Sequence, residues 1–220
     1  MIVDQNIIDY IRSLMKEEKN DLGKIECEAR QNHVPIIKSE TKELLKTLVL
    51  LKRPMKILEV GAAVGFSSLY MNEYQPKGGT VVTIERNEKR ILKAKENIQI
   101  MKKEGQIKLL EGDAVEILKE LKGTFDFVFV DAAKGQYIHF LDDVLRLLAP
   151  EGILVSDNVL QNGDIAKSRY AIERRDRTIH KRMRDFLYTI KNHPQLETTI
   201  LPVGDGVAIS IKIGETNERD

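Results

Sequence analysis

With 220 residues, 42% apolar and 31% charged, the chain can bury one substantial core and reads as a single domain over residues 1–220. No apolar stretch approaches the roughly 20 residues of a membrane span, and the N-terminus MIVDQNIIDYIRSL carries acidic residues where a signal peptide would carry basic ones. A cytoplasmic protein with no membrane partner is the expectation. Net charge is +1, but Lys167 to Arg184 holds eight Lys/Arg against two acids, so this arm carries +6 and the rest of the chain −5, a distribution that suits a polyanionic partner. The lone Cys27 excludes an intramolecular disulfide and a thiolate zinc site, and is expected to be a packed or bystander thiol.

Residues 1–52 read as a helical extension: Ile7, Ile8, Ile11, Leu14 and Met15 recur at helical spacing, as do Leu44, Leu45, Leu48 and Leu51, with Pro35 as the break between them. These stripes are expected to pack on the main domain or on a second subunit. After Pro54 short β-branched or aromatic runs, KILEV, TVVTI, QIKLL, FDFVFV and GILVS, alternate with amphipathic stretches at 66–74, 88–103, 113–121 and 135–148. Near-continuous apolar strands each followed by a helix predict a doubly wound, mostly parallel α/β sheet of Rossmann-like layout, with helices before it. One long charged helix is predicted over 168–192, with Met183, Phe186, Leu187 and Ile190 inward and His180, like His139, on a helix surface. LETTILPV and GVAISIKI, separated by Gly204-Asp205-Gly206, are too close for a crossover and predict an antiparallel edge hairpin, followed by a polar, frayed tail at 214–220.

The strand ends carry the chemistry. Ligands of open α/β sheets bind beyond the carboxyl ends of the strands, where Gly61 and Gly65 occupy the first βα turn. The middle glycine of a Gly-x-Gly-x-x-Gly phosphate loop is absent, which favours a nucleoside without phosphates and disfavours a nicotinamide dehydrogenase. Glu85 is placed to accept hydrogen bonds from both ribose hydroxyls, and Gly112-Asp113-Ala114 to cap an adenine edge. Structural readings stand beside these: Glu85 as a helix-start acid, Asp113 as an N-cap. Asp131 closes FDFVFV and Asp157-Asn158 closes GILVS, an oxygen donor set that suits a divalent cation of the magnesium type, whereas zinc or copper would call for His or Cys. A turn and a strand-end acid are the alternative.

Ile-Leu-Glu-Val-Gly-Ala-Ala-Val-Gly-Phe-Ser-Ser, Thr-Ile-Glu-Arg-Asn, Gly-Asp-Ala, Val-Asp-Ala-Ala-Lys-Gly-Gln-Tyr and Ser-Asp-Asn-Val together resemble the cation-dependent O-methyltransferases that include the catechol and caffeoyl-coenzyme A enzymes. Within them the chain looks most like the bacterial tRNA 5-hydroxyuridine methyltransferases, in His-Val-Pro-Ile, Ile-Glu-Arg-Asn-Glu-Lys-Arg and Pro-Val-Gly-Asp-Gly. The resemblance implies S-adenosylmethionine as cofactor, with Glu59 and the 61–65 backbone on its methionine part, Ser67 on its carboxylate, Glu85 on the ribose, Asp113 and Ala114 on the adenine, and Ile36 covering it through its backbone. Asp131 would serve cofactor and catalysis as well as the cation, which would be Mg2+ or Mn2+ on Asp131, Asp157 and Asn158. Lys134, three residues after Asp131, is the candidate general base, provided the cation depresses its pKa. The family also implies a homodimer.

A substrate whose hydroxyl lies beside a second oxygen can chelate such a cation, and both catechols and 5-hydroxyuridine have that geometry. The basic arm, Lys167, Arg169, Arg174, Arg175, Arg177, Lys181, Arg182 and Arg184, is either an RNA-binding surface or a solvated helix partly paired with Glu173, Asp176 and Asp185. The resemblance favours RNA, the anticodon loop of tRNA with a splayed wobble base. A small-molecule enzyme acting on catechol-like phenols and a non-catalytic RNA-binding module are the competing readings, the second opposed by the joint presence of Asp131, Lys134, Asp157 and Asn158.

Overall fold

Alternation along the central strands decides the layers. In β1 (Lys56–Val60) and β4 (Phe125–Val130), Ile57, Phe127 and Phe129 face one hydrophobic cluster while Leu58, Val60, Val128 and Val130 face the other. Side chains of a strand alternate between faces, so apolar residues at successive positions require a helix layer on each side. One layer comprises α2 (Asp21–Gln31), α3 (Ser39–Lys52), α4 (Phe66–Tyr74) and α5 (Glu88–Ile100). Leu45, Val49, Phe66 and Leu69 supply its buried contacts. The other comprises α6 (Ala114–Glu120), α7 (Tyr137–Leu147) and α8 (Arg177–Lys191), with Leu118, Phe140, Val144, Met183 and Phe186 inward. The computed structural model describes residues 3–16 and 19–214, so all but the first residue of the predicted tail lies outside the described residues.

The seven strands run in the order β3-β2-β1-β4-β5-β7-β6, with β2 (Thr80–Glu85), β3 (Ile107–Glu111), β5 (Leu148–Ser156), β6 (Leu196–Leu201) and β7 (Val207–Lys212). β1 to β5 are mutually parallel; β7 pairs antiparallel with β5 and with the edge strand β6, as the short Gly-Asp-Gly turn requires. The order reverses between β1 and β4, and the carboxyl ends of these strands open the crevice there.

Two expectations change. The helix predicted over 168–192 begins only at Arg177; before it come 3-10 turns at Gln161–Ala166 and Arg169–Ala171. Upstream of Arg177 no helical apolar stripe exists to bury. Ile172 instead sits buried on extended backbone, its carbonyl accepting from Arg177 Nε at 3.1 Å. His180 is buried, not on the surface: it lies one turn before Met183 on the inward face of α8. Of the N-terminal stripes, α2 and α3 pack on the domain through Leu22, Ile25, Leu45 and Val49, whereas α1 (Gln5–Ser13) buries no residue within the chain and leaves Ile7, Tyr10 and Ile11 exposed. Cys27 is an exposed bystander, accepting from Gln31 Nε2 at 3.3 Å. No helix among the described residues is long and apolar enough to cross a membrane.

Gly61 fixes the crevice. Its φ is +107°, its N–H reaches the Ile84 carbonyl at 3.0 Å, and a Cβ built on it would stand 2.2 Å from the Asp131 carbonyl oxygen. The β1 turn and the end of β4 therefore touch backbone to backbone. Gly61→Ala is expected to destabilise the protein by about 2 kcal/mol or more in urea unfolding, since it combines left-handed strain with a backbone clash. Wild-type stability in that variant would show that the turn relaxes freely.

Candidate active site

A cavity of about 620 Å3 occupies the crevice, within the usual size of small-molecule sites. Its wall takes Gly61 and Ala63 from the first turn, Glu85 from β2, Gly112 to Val115 from the turn into α6, Asp131 to Lys134 from the end of β4, and Asp157 and Asn158 from the end of β5. Pro35 to Lys38 close it from one side and Asp205, in the β6–β7 turn, from another.

The cofactor half is organised by Glu85. Its Oε2 accepts from the Ala63 N–H at 2.8 Å, and Oε1 accepts from the N–H groups of Arg86 and Asn87, each at 2.9 Å. A carboxylate has about four acceptor sites, so one remains for a ligand hydroxyl where the sequence suggested two such bonds. Asp113 does cap α6, accepting from Val115 N–H at 2.9 Å, and also lines the cavity beside Ala114. The N-cap reading holds, and an N-cap at the end of a strand faces the crevice. Ile36 lines the wall opposite.

Glu59, Gly65 and Ser67 lie behind this wall rather than in it. Glu59 is fully buried and accepts from the Thr83 hydroxyl. Burial pushes its carboxyl up to about 7, against the opposing pull of the Ser67 and Thr83 hydroxyls. Gly65 is in the left-handed region at φ +78° and lets α4 start close against Ala94 of α5, to which an added Cβ would come within 3.4 Å.

The reactive half rests on two carboxylates at neighbouring strand ends. Asp131 N–H donates to the Val60 carbonyl at 2.9 Å and Asp157 N–H to the Val130 carbonyl at 3.0 Å, so each acid is placed by the strand beside it. Asp157 is 3% exposed. Desolvation raises both carboxyls well above the usual carboxylate range; Asp131 further raises Asp157, while the Asn158 amide lowers Asp131. Asn158 has φ +61° and its Nδ2 donates to Asp131 Oδ1 at 2.8 Å. Tyr137, buried beneath, directs its hydroxyl to the carbonyls of Asp157 at 2.9 Å and Val130 at 3.2 Å, tying the two strand ends. Among the described residues no three His, Cys, Asp or Glu side chains form a metal cluster. The donor set here is two carboxylates and an amide whose oxygen would face the ion once the amide is turned over, with water completing the shell, which fits a hard cation of the magnesium type.

Lys134 lines the cavity on the loop after β4, and that loop is moored to α8 by Arg182 Nη1 donating to the Gly135 carbonyl at 3.2 Å. A family model described as O-methyltransferase matches residues 13–213.

The chain belongs to the O-methyltransferase family.

The O-methyltransferase ankF of Aspergillus thermomutatus is 32% identical over 179 residues, covering 74% of this chain and 72% of that one. A catechol O-methyltransferase of Niastella koreensis is 29% identical over 167 residues, covering 73% and 76%. A crystal structure described as a putative caffeoyl-CoA O-methyltransferase from Staphylococcus aureus superimposes with a TM-score of 0.87 at 32% identity, over 95% of this chain and 100% of that one.

One feature of this O-methyltransferase escaped the sequence reading. Lys38 Nζ and Asp205 Oδ1 are 2.6 Å apart, clasping the 35–38 segment to the β6–β7 turn across the cavity. Asp205 also adds to the negative field on Asp131 and Asp157. An acid between two glycines was read only as turn chemistry. In the basic arm, Lys167 pairs with Asp164 at 2.7 Å and Arg175 with Glu173 at 3.0 Å, and Arg184 donates to the Ile165 carbonyl. Arg169, Arg174 and Lys181 are exposed and make no ion pair among the described residues.

Because the folded-state carboxyl of Glu59 is raised from 4.5 to about 7, the native state holds a proton that the unfolded chain has released. Its contribution to stability is present at low pH and is lost as pH rises through about 4.5 to 7. Glu59→Gln removes this dependence: relative to wild type it is expected to gain up to about 3 kcal/mol between pH 4.5 and 8 in urea titrations. A wild-type minus variant difference that is flat across this range would contradict the assignment.

Proposed function

We propose that this O-methyltransferase methylates 5-hydroxyuridine to 5-methoxyuridine at the wobble position of tRNA, using S-adenosylmethionine and a divalent cation, Mg2+ or Mn2+. The observation that carries the RNA reading is the basic arm: its exposed cations stand on α8 and the turns before it, and α8 is moored at Arg182 to the loop of Lys134. Lys167, Arg169, Arg174, Arg175, Arg177, Lys181 and Arg182 would meet the phosphates of the anticodon loop.

In this reading S-adenosylmethionine supplies the electrophilic methyl group, and the cation lowers the pKa of the substrate hydroxyl and fixes its line of attack. The chain does the rest. Asp131, Asp157 and Asn158 hold the ion, and Tyr137 keeps the first two in register. Glu85, stiffened by backbone donors, takes a ribose hydroxyl, and Asp113 and Ala114 border the adenine. Glu59 and Ser67, behind the first turn, would act on the methionine part through the 61–65 backbone. Ile36 and the Lys38–Asp205 clasp shut the cofactor from water. Lys134 accepts the hydroxyl proton at Nζ. The exposed apolar face of α1 supports a homodimer.

A second reading, a small catechol-like phenol as substrate, is favoured by the names of relatives: a catechol O-methyltransferase and several caffeoyl-CoA O-methyltransferases. The two separate in one assay. Purified protein with labelled S-adenosylmethionine and Mg2+ is offered tRNA bearing 5-hydroxyuridine, and a catechol in parallel, with and without chelator. The expected result is 5-methoxyuridine in the RNA digest, abolished by chelator, with Lys134→Ala slower by about 10²–10⁴-fold in kcat. Methylated catechol beside unmodified tRNA would move the assignment to phenols, and turnover indifferent to chelator would remove the cation.

A further inference from the structure

The most exposed large aromatic or aliphatic side chain among the described residues is Tyr170, 87% exposed on the turn Arg169–Ala171. The turn that carries the ring is anchored. Tyr170 N–H donates to Ser168 Oγ at 3.4 Å, and Ala171 N–H to the Ser168 carbonyl at 2.9 Å. Two residues on, Ile172 is buried at 7% exposure and its carbonyl is held by Arg177. The backbone therefore presents the ring without using it for packing.

Its surroundings narrow what the ring is for. Arg169 precedes it and Arg174 follows within the same connection, both exposed and without an ion pair among the described residues. The connection runs from Asn158 to α8, so it leaves the sheet from β5, whereas Glu85 and Asp113 of the cofactor half follow β2 and β3 on the other side of β1. The turn Arg169–Ala171 packs on α8, and α8 reaches the loop of Lys134 through Arg182 and the Gly135 carbonyl, so Tyr170 lies on the side of α8 and the Lys134 loop and outside the cavity wall. An exposed ring with unpaired arginines before and after it in the chain matches a ligand that alternates flat π-faces with phosphates, which is single-stranded nucleic acid. A ligand confined to the cavity does not meet Tyr170, which is no part of the cavity wall.

We propose that Tyr170 is a stacking platform for an unpaired base adjoining the target nucleotide, with Arg169 and Arg174 on the neighbouring phosphates. The proposal rests on the RNA reading given above and adds the residue that would make an RNA loop a better substrate than its isolated nucleoside. Tyr170 acts as a positioning residue, remote from the transferred methyl group.

The chain contains no tryptophan, so Tyr170→Trp installs a single indole whose emission is quenched when a base stacks on it. Full-length Tyr170→Trp is titrated with an unlabelled anticodon stem-loop RNA while polarisation of a dye-labelled copy reports binding independently. Quenching should follow the binding curve. Tyr170→Ala should weaken RNA binding by about 5- to 100-fold, the usual effect of losing one base stack, while Tyr170→Phe binds as wild type and the affinity for S-adenosylmethionine is unmoved in all variants. RNA bound without quenching, together with wild-type affinity in Tyr170→Ala, would overturn the platform and leave the RNA reading intact. Failure of the wild-type protein to bind RNA at all would overturn the RNA reading and the platform with it.

Discussion

Two carboxylates buried side by side are the constraint from which the rest of this structure follows. Asp131 and Asp157 extend two parallel, hydrogen-bonded strands, so their spacing is inherited from the sheet and neither can move away from the other. Without a cation, burial drives both toward the protonated form, and the charge of Asp131 drives Asp157 further. Such a pair opposes folding at neutral pH, yet it is braced from several directions. The Tyr137 hydroxyl ties the two strand ends, Gly61 allows the first turn to press against the Asp131 carbonyl, and Asn158 takes a left-handed conformation that brings its amide to Asp131. Bracing of this kind makes sense where an ion supplies the missing positive charge.

The same sheet divides the work of the crevice. On one side of β1, the ends of β2 and β3 present acceptors already fixed by backbone donors, suited to a neutral nucleoside. On the other, β4 and β5 present the acids and Lys134, and the chain leaving β5 carries the cationic arm. The pocket wall mixes Glu85, Asp113, Asp131, Asp157 and Asp205 with Lys38, Arg86, Arg90 and Lys134, whereas the arm outside it is strongly cationic. A substrate that is polyanionic outside the reacting group would be drawn to the arm and admitted only by its neutral base. The fold is common to O-methyltransferases with small substrates, and selection of a larger one would lie in the β5–α8 connection, outside the shared sheet.

Much of this was legible in the sequence, for a physical reason. Strands buried on both faces leave continuous apolar runs, and the acids that end them are conspicuous because a charge cannot lie farther in; FDFVFV followed by Asp131 and GILVS followed by Asp157 show both features. Depth was harder to read. Glu59 and Ser67 sit at the right place along the chain, but their side chains turn into the layer behind the wall, and sequence spacing does not specify that direction. The Lys38–Asp205 clasp joins residues 167 apart in sequence through an exposed-looking turn, which leaves no local pattern. The helix expected over 168–192 is shorter, because the apolar stripe that packs α8 starts only near His180, itself buried on that stripe.

The most direct test of the account is a count of the cation in solution. Titration of the purified protein with Mn2+, followed by electron paramagnetic resonance, should give one tightly bound ion per chain in the wild type and none in Asp157→Asn, with thermal melting showing that the variant is folded. An unchanged single site in the folded variant, or no bound Mn2+ in the wild type, would contradict the claim that Asp131 and Asp157 are buried together in order to hold a divalent cation.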